Sequence, residues 1–427
     1  MIERGVLWDA EVQARDPADL ERRAVAGLRR EWERVWELPV AYYRELYSRA
    51  GLDPAVLPPL DEIPRTDKPT LRDDEAAHPP FGSHRVIGLE QAVRLGSSTG
   101  TTGAPTMIFY GPTDLEVAGT VGVRNMWRHG VRAGDRFTHS WPQGIYPTNV
   151  TGGRSYLTLG ALEIAVGPPF TPDMAAEHLR LWQLLRPTAF MMTGAQLRTY
   201  EEAAAAAGID LAALLDGAIL VFLEASCQFE RPRQRVEAAY GVRIRNTGGA
   251  SEIPGFATTD CAAHTGLHVA GDHFVVQACD PATGREVPDG ERGTLVVSAF
   301  GLDALFLRYD LQDIVVVARD VCECGETGPR YTLLGRRADA VHVDGRMLLP
   351  LDVQLALEDI ERHGAPEFQV VGGDDTAQLR LRIEDDDGRG AHLAGALGEV
   401  LGVPADVETV PVGSLPRSSF KPRRIAT

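Results

Sequence analysis

Apolar residues recur at three- and four-residue spacing over 17–50, behind an acid-rich start and ahead of Gly51, and this spacing predicts helix. Residues 52–80 are rich in Pro and Asp and predict an irregular lead-in. The β-rich runs RVIGL (85–89) and TMIFY (106–110) predict two strands around a Gly/Ser/Thr loop. Across 113–220, helical patterns (113–130, 172–187, 194–208) alternate with short apolar runs (161–167, 188–194, 218–225). That alternation argues for a layered, largely parallel α/β arrangement. From about 255 the period shortens to two, with DPATG and PDGERG turns, which predicts an antiparallel β region. After about 337 an α+β texture follows, in which DDDGRG (385–390) predicts a hairpin turn. The fold class expected is α/β. A large N-terminal layered α/β domain with an added β region spans 1–336, and a small α+β C-terminal domain spans 337–427.

Composition narrows the function. A chain of 427 residues is long enough for two or three domains at roughly 100–200 residues each. Its formal net charge of −17 argues against a nucleic-acid partner, which would need a basic face. It leaves room for a nucleotide held by local amides and a few cations. No apolar run approaches a membrane span, and the first residues lack an apolar signal core. Five cysteines, sparse and odd in number, suit a reducing cytoplasm better than a disulfide scaffold.

The densest chemistry lies in Gly96-Ser97-Ser98-Thr99-Gly100-Thr101-Thr102-Gly103-Ala104-Pro105. Glycines and hydroxyls in one loop let backbone amides and OH groups approach phosphate oxygens. The loop is neither a Walker A motif nor a dinucleotide fingerprint. By composition alone a flexible surface loop competes with that reading.

The loop resembles the S-S-G-T-T-G-K-P phosphate loop of the adenylate-forming superfamily, and four further segments follow in that family's order. They are Gly249-Ala250-Ser251-Glu252, Arg308-Tyr309-Asp310-Leu311-Gln312-Asp313, Gly335-Arg336-Arg337-Ala338-Asp339 through Gly345, and Pro416-Arg417-Ser418-Ser419-Phe420-Lys421. The N-terminal texture, GLHVAGDHF and the CxCG-x-TGPR segment resemble the phenylacetate–CoA ligase branch in particular.

The resemblance implies ATP-dependent activation of a carboxylic acid, aryl or hydrophobic, to an acyl-adenylate. Transfer to CoA as a thioester then releases AMP. Lys421 is implied as the cation between the acyl carboxylate and the α-phosphate, and Glu252 as a ligand of Mg²⁺. Ser97, Ser98, Thr99, Gly100, Thr101, Thr102 and Gly103 are implied around the phosphates. Asp313 is implied on the ribose, Arg336 on ribose or phosphate, and Glu224, Ala225, Asn246 and Gly248 around adenine. Trp141, Tyr146, Gly249 and Ala250 are implied as acyl-pocket walls, and Ala338 and Asp339 as the hinge that makes the C-terminal domain mobile.

The chain departs from the family pattern at Ala104, where a Lys is usual, and at Phe420, where a Gly is usual. Cys322-Glu323-Cys324 forms a C-x-C knuckle, with Cys261 and either His264 or His268 upstream. This set suits structural Zn²⁺. Reduced thiols without metal compete on spacing alone. The resemblance favours Zn²⁺, with His268 over His264.

The expected partners are a small carboxylic acid, ATP, and CoA or a carrier-protein thiol, with room for a homodimer and none for nucleic acid or membrane. Two rivals stand beside the ligase reading: an adenylating enzyme that loads a carrier protein or an amine, and a non-catalytic nucleotide- or acyl-binding regulator.

Overall fold

The computed structural model describes residues 6–97, 106–142, 144–361, 364–372, 376–416 and 424–426, with backbone alone at 147–152. It divides into two compact units. The first comprises 1–167, 187–189 and 247–333, and the second 168–186, 190–246 and 334–427.

In the first unit the predicted helix over 17–50 is two helices, α1 (Pro17–Glu37) and α2 (Ala41–Arg49). Pro39 forces the residue before it out of the helical region, and Leu38 sits at ψ 156°. Trp32, Val35, Tyr43 and Tyr47 pack from these helices against Phe300, Leu305 and Leu307. The lead-in contains a helix that composition concealed, α3 (Lys68–Ala77). Asp67 caps it by accepting from Thr70 N at 3.0 Å, and Pro69 lies in its first turn, where the missing N–H costs nothing.

The strand expected at RVIGL is absent. The strand lies at Arg94–Ser97 and pairs antiparallel with Met107–Tyr110. Arg85 is tied elsewhere: its Nε donates to Phe81 O at 2.8 Å, its Nη2 bonds Glu75 at 2.5 Å, and its guanidinium lies 4.6 Å from the Phe109 ring centre. Helices α4 (Pro112–His129) and α5 (Pro147–Leu159) follow, and strands Arg136–His139 and Leu162–Ala165 pair in parallel. The antiparallel region is present as expected. Phe274–Cys279 pairs with Arg292–Ala299, and that strand pairs with Tyr309–Ala318. Val276, Leu295, Val297, Val315 and Val317 face one core.

In the second unit, α6 (Pro172–Leu185) and α7 (Gly194–Ala207) enclose Trp182 and Tyr200, with ring centres 4.5 Å apart. Strand Ile219–Leu223 pairs in parallel with Arg243–Asn246, joined through α8 (Glu230–Tyr240). From Val341 onward the chain builds its own core. Val341–Val343 and Arg346–Leu348 form a hairpin turned at Asp344 and Gly345, both with φ > 0. Strands Ala405–Val410, Leu379–Glu384, Phe368–Val371 and Ile425–Ala426 form one sheet with α9 (Pro350–Ile360) and α10 (Gly390–Leu401). DDDGRG does not turn a hairpin. Leu379–Glu384 and Ala405–Val410 run parallel, so the chain must cross over, and it does so through α10. Among the described residues no helix is long and apolar enough to cross a membrane.

Candidate active site and cysteine–histidine cluster

Strand Arg243–Gly249 ends in a tight turn that carries Glu252. Gly249 has φ 152°, and a Cβ there would lie 2.4 Å from Phe256 O, so glycine is required. Ala250 N donates to Phe256 O at 3.1 Å and Ile253 N to Ala250 O at 3.3 Å, which closes the turn. Glu252 Oε1 accepts from Lys68 Nζ at 2.8 Å, with both side chains partly exposed. Lys68 is the residue that sequence reasoning missed. The helix-start signature Asp67-Lys68-Pro69 was its only sequence signal.

Three phenols lie within reach of the Glu252 charge. Burial pushes Tyr110, Tyr146 and Tyr309 above the ordinary phenol range, and the Glu252 charge pushes each further. A cleft open to solvent is lined by Lys68, Arg72, Thr106, Phe109, Glu252 and Tyr309.

Trp141 stacks on Tyr146, with ring centres 6.1 Å apart and planes at 29°. The N–H of Ser97 donates to Ile145 O at 2.8 Å, fixing this segment to the strand Arg94–Ser97. Gly248 leaves space beside Leu267 and Tyr331, since a Cβ there would lie 3.0 Å from Leu267 Cδ1. Asp313 lies within Tyr309–Ala318, close enough to Tyr331 to raise its phenol further after burial. The first unit thus holds Trp141, Tyr146, Gly248, Gly249, Ala250, Glu252 and Asp313.

Arg308 of the same motif plays a structural part. It is buried, donates to Ile63 O at 2.9 Å and to Gly284 O at 2.5 Å, and adopts φ 52°.

The second unit holds Glu224, Ala225, Asn246, Arg336, Ala338 and Asp339. Glu224 packs on Gly194, where an added Cβ would meet Glu224 Oε2 at 2.7 Å. Burial raises its carboxyl, against the opposing charges of Arg424 and Arg198. Arg336 ends strand Arg330–Arg336, and Ala338 and Asp339 lie in the 3-10 turn Arg337–Asp339. Ser98, Thr99, Gly100, Thr101, Thr102, Gly103 and Lys421 lie outside the described residues.

Cys261, His268, Cys322 and Cys324 come together, with all four ligand atoms within 4.8 Å of one another. Cys261 Sγ lies 3.7 Å from Cys322 Sγ, and Cys324 Sγ lies 3.7 Å from His268 Nε2. A tetrahedral Zn²⁺ with bonds of about 2.0–2.3 Å separates its ligand atoms by about 3.5–3.8 Å, so this donor set fits that ion. His264 stands apart, bonded through Nδ1 to Asp260 Oδ2 at 2.7 Å.

Behind His268, Nδ1 lies 3.5 Å from Glu326 Oε2. Arg128 Nε binds Glu326 at 2.6 Å and Gln13 Nε2 binds it at 2.9 Å. Burial opposes the Glu326 charge, but Arg128 and His268 hold its carboxyl below the usual range. A carboxylate set behind a ligand imidazole orients the ring and raises its basicity.

No family model matches the chain. A crystal structure of 2-hydroxyisobutyryl-CoA ligase with 2-HIB-AMP superposes with TM-score 0.86, covering 100% of this chain and 93% of that one at 24% identity. An anthranilate CoA ligase with anthranoyl-AMP gives TM-score 0.57 over 77% of this chain and 65% of that one, at 19% identity. The fold is therefore that of the adenylate-forming acyl-CoA ligases. A phenylacetate–coenzyme A ligase of Thermus thermophilus is 30% identical over 360 residues, 81% of this chain and 78% of that one. One of Pseudomonas putida is 26% identical over 442 residues, 97% of this chain and 96% of that one. The chain belongs to the phenylacetate–CoA ligase family.

Proposed function

We propose that this chain activates a small carboxylic acid, aryl or hydrophobic, with ATP to give an acyl-adenylate and pyrophosphate. It then passes the acyl group to the thiol of CoA and releases AMP. The observation that carries this reading is the 30% identity to a phenylacetate–CoA ligase across 81% of the chain. The turn that presents Glu252 beside Lys68, with Trp141 and Tyr146 stacked in the same unit, supports it.

In this reading Glu252 would hold Mg²⁺, which would neutralise phosphate charge. Ser97 to Gly103 surround the phosphates, Asp313 takes the ribose hydroxyls, and Arg336 contacts ribose or phosphate. Glu224, Ala225, Asn246 and Gly248 enclose adenine. Trp141, Tyr146, Gly249 and Ala250 wall the acyl group. Lys421 supplies the cation for the carboxylate–phosphate encounter, carried by a 337–427 domain that pivots at Ala338 and Asp339. Cys261, His268, Cys322 and Cys324 would hold a structural Zn²⁺, which would crosslink their segments. Five cysteines, none of them in a disulfide, support a reducing, cytoplasmic setting.

The test is ATP–pyrophosphate exchange over a panel of aryl and aliphatic acids, repeated with CoA and read for thioester by mass. Exchange with aryl acids and a CoA thioester are expected. Exchange without thioester would redirect the acyl group to a carrier protein or amine, and silence over the whole panel would overturn the enzyme reading. Lys421→Ala is expected to lower exchange by at least about a thousandfold while sparing thioester formation from a supplied acyl-adenylate. Equal loss of both steps would make the tail structural.

A further inference from the structure

We propose that Lys68, with Arg72, forms a pyrophosphate-receiving wall. Lys68 holds Glu252 while no nucleotide is bound and turns to a pyrophosphate oxygen once a divalent cation takes the carboxylate. The inference rests on the adenylation reading above and extends it to residues outside the five motif segments.

Asp67 fixes the start of α3 and so places Lys68 at its first position, with Arg72 four residues on and on the same helical face. Both line the cleft that contains Glu252. The buried Tyr309 hydroxyl feels two opposing charges there: Glu252 raises it and Arg72 lowers it, so both reach the same region. Two further basic groups line the cleft. Arg85 is tied to Glu75 and to Phe81 O, and His84 is bonded through Nδ1 to Asp74 Oδ2 at 2.7 Å. Lys68 and Arg72 place two cations on the cleft that Glu252 also lines.

A carboxylate facing a polyanion repels it unless cations intervene. Adenylation leaves pyrophosphate carrying the charge released by the broken phosphoanhydride bond, and stabilising that charge is the main task of such a site. The Lys68–Glu252 pair is partly exposed on both sides, and such pairs are weak. Exchanging Lys68 for a divalent cation on Glu252 therefore costs little and frees an ammonium beside the departing anion. A fixed structural pair would instead be deeply buried, as Arg128–Glu326 is.

The experiment compares full-length wild type, Lys68→Met and Lys68→Arg. Lys68→Met is expected to raise half-saturating pyrophosphate in exchange about tenfold or more, with kcat changed less than about threefold. Thioester formation from supplied acyl-adenylate and CoA is expected to stay within about twofold of wild type, and Lys68→Arg to recover most of the pyrophosphate affinity. An unchanged pyrophosphate requirement in folded Lys68→Met, or equal loss of both half-reactions, overturns the proposal. Calorimetric binding of magnesium pyrophosphate to the same proteins separates the two readings. Silence of wild type in exchange would sink adenylation, and equal affinity of wild type and Lys68→Met would sink the role of Lys68.

Discussion

His84 shows how one buried side chain ties stability to pH. Its Nδ1 bonds Asp74 Oδ2, its neighbours are Arg85 and Glu75, and the Tyr42 ring meets it edge-on. Burial holds its pKa below 6.5, more strongly than Asp74 raises it. The folded imidazole stays neutral while the unfolded one takes up a proton below 6.5. Its contribution is therefore complete above that pH and is lost as the pH falls toward the folded pKa. The stability gap between wild type and His84→Gln, followed by urea denaturation, should shrink from pH 7.5 to 5.5. A gap that is flat or widens on acidification would refute this. At this scale legibility was uneven. Gly249 and Glu252 could be read because a steric need and a turn leave a motif. Lys68 could not, because its meaning comes from a partner 184 positions away.

Elements were readable where pattern and packing agree and unreadable where tertiary contacts decide. RVIGL has strand composition, but Arg85 is spent on Glu75, Phe81 and Phe109, and pairing begins only at Arg94. In DDDGRG, Asp385 accepts from Arg389 N at 2.8 Å and leads into α10, because the next strand is parallel. The cysteine–histidine cluster shows the converse: the C-x-C knuckle with its upstream Cys and His was legible as a donor set, and the fold brings three short segments together through those four side chains. Their tie extends to the N-terminal segment, since Gln13 binds Glu326 and Thr327 N donates to Gln13 O at 3.0 Å. Mass spectrometry of the native protein should find one zinc per chain. Cys324→Ser or exhaustive chelation should remove it and lower the thermal midpoint by about 5–10 °C. Protein purified without chelators that carries no metal would end the zinc reading.

For the molecule as a whole, the sharpest claim in the sequence is the division near 336, and it has a direct physical test. The core of the C-terminal segment is drawn wholly from Val341 to Val403 and is flanked by Val407 and Ile425. Phe368, Val370, Leu381, Ile383, Leu393 and Leu397 are almost fully buried within it. Its four-stranded sheet is drawn wholly from this segment, with Ile425–Ala426 pairing in parallel with Val370–Val371. The pairs Arg231–Asp359, at 2.7 Å, and Arg235–Glu358 reach out of the segment to α8. Both acids would be free to take up water in isolation, so cutting these pairs costs little. A protein of residues 337–427 should therefore fold alone, with dispersed amide resonances and one sigmoidal urea transition. Ending it at residue 416 removes the strand at 425–426, leaves the edge of Phe368–Val371 unpaired and should lower the urea midpoint. A random-coil spectrum for 337–427 would mean that this core forms only against the rest of the second unit, and the boundary would have to move upstream of 334.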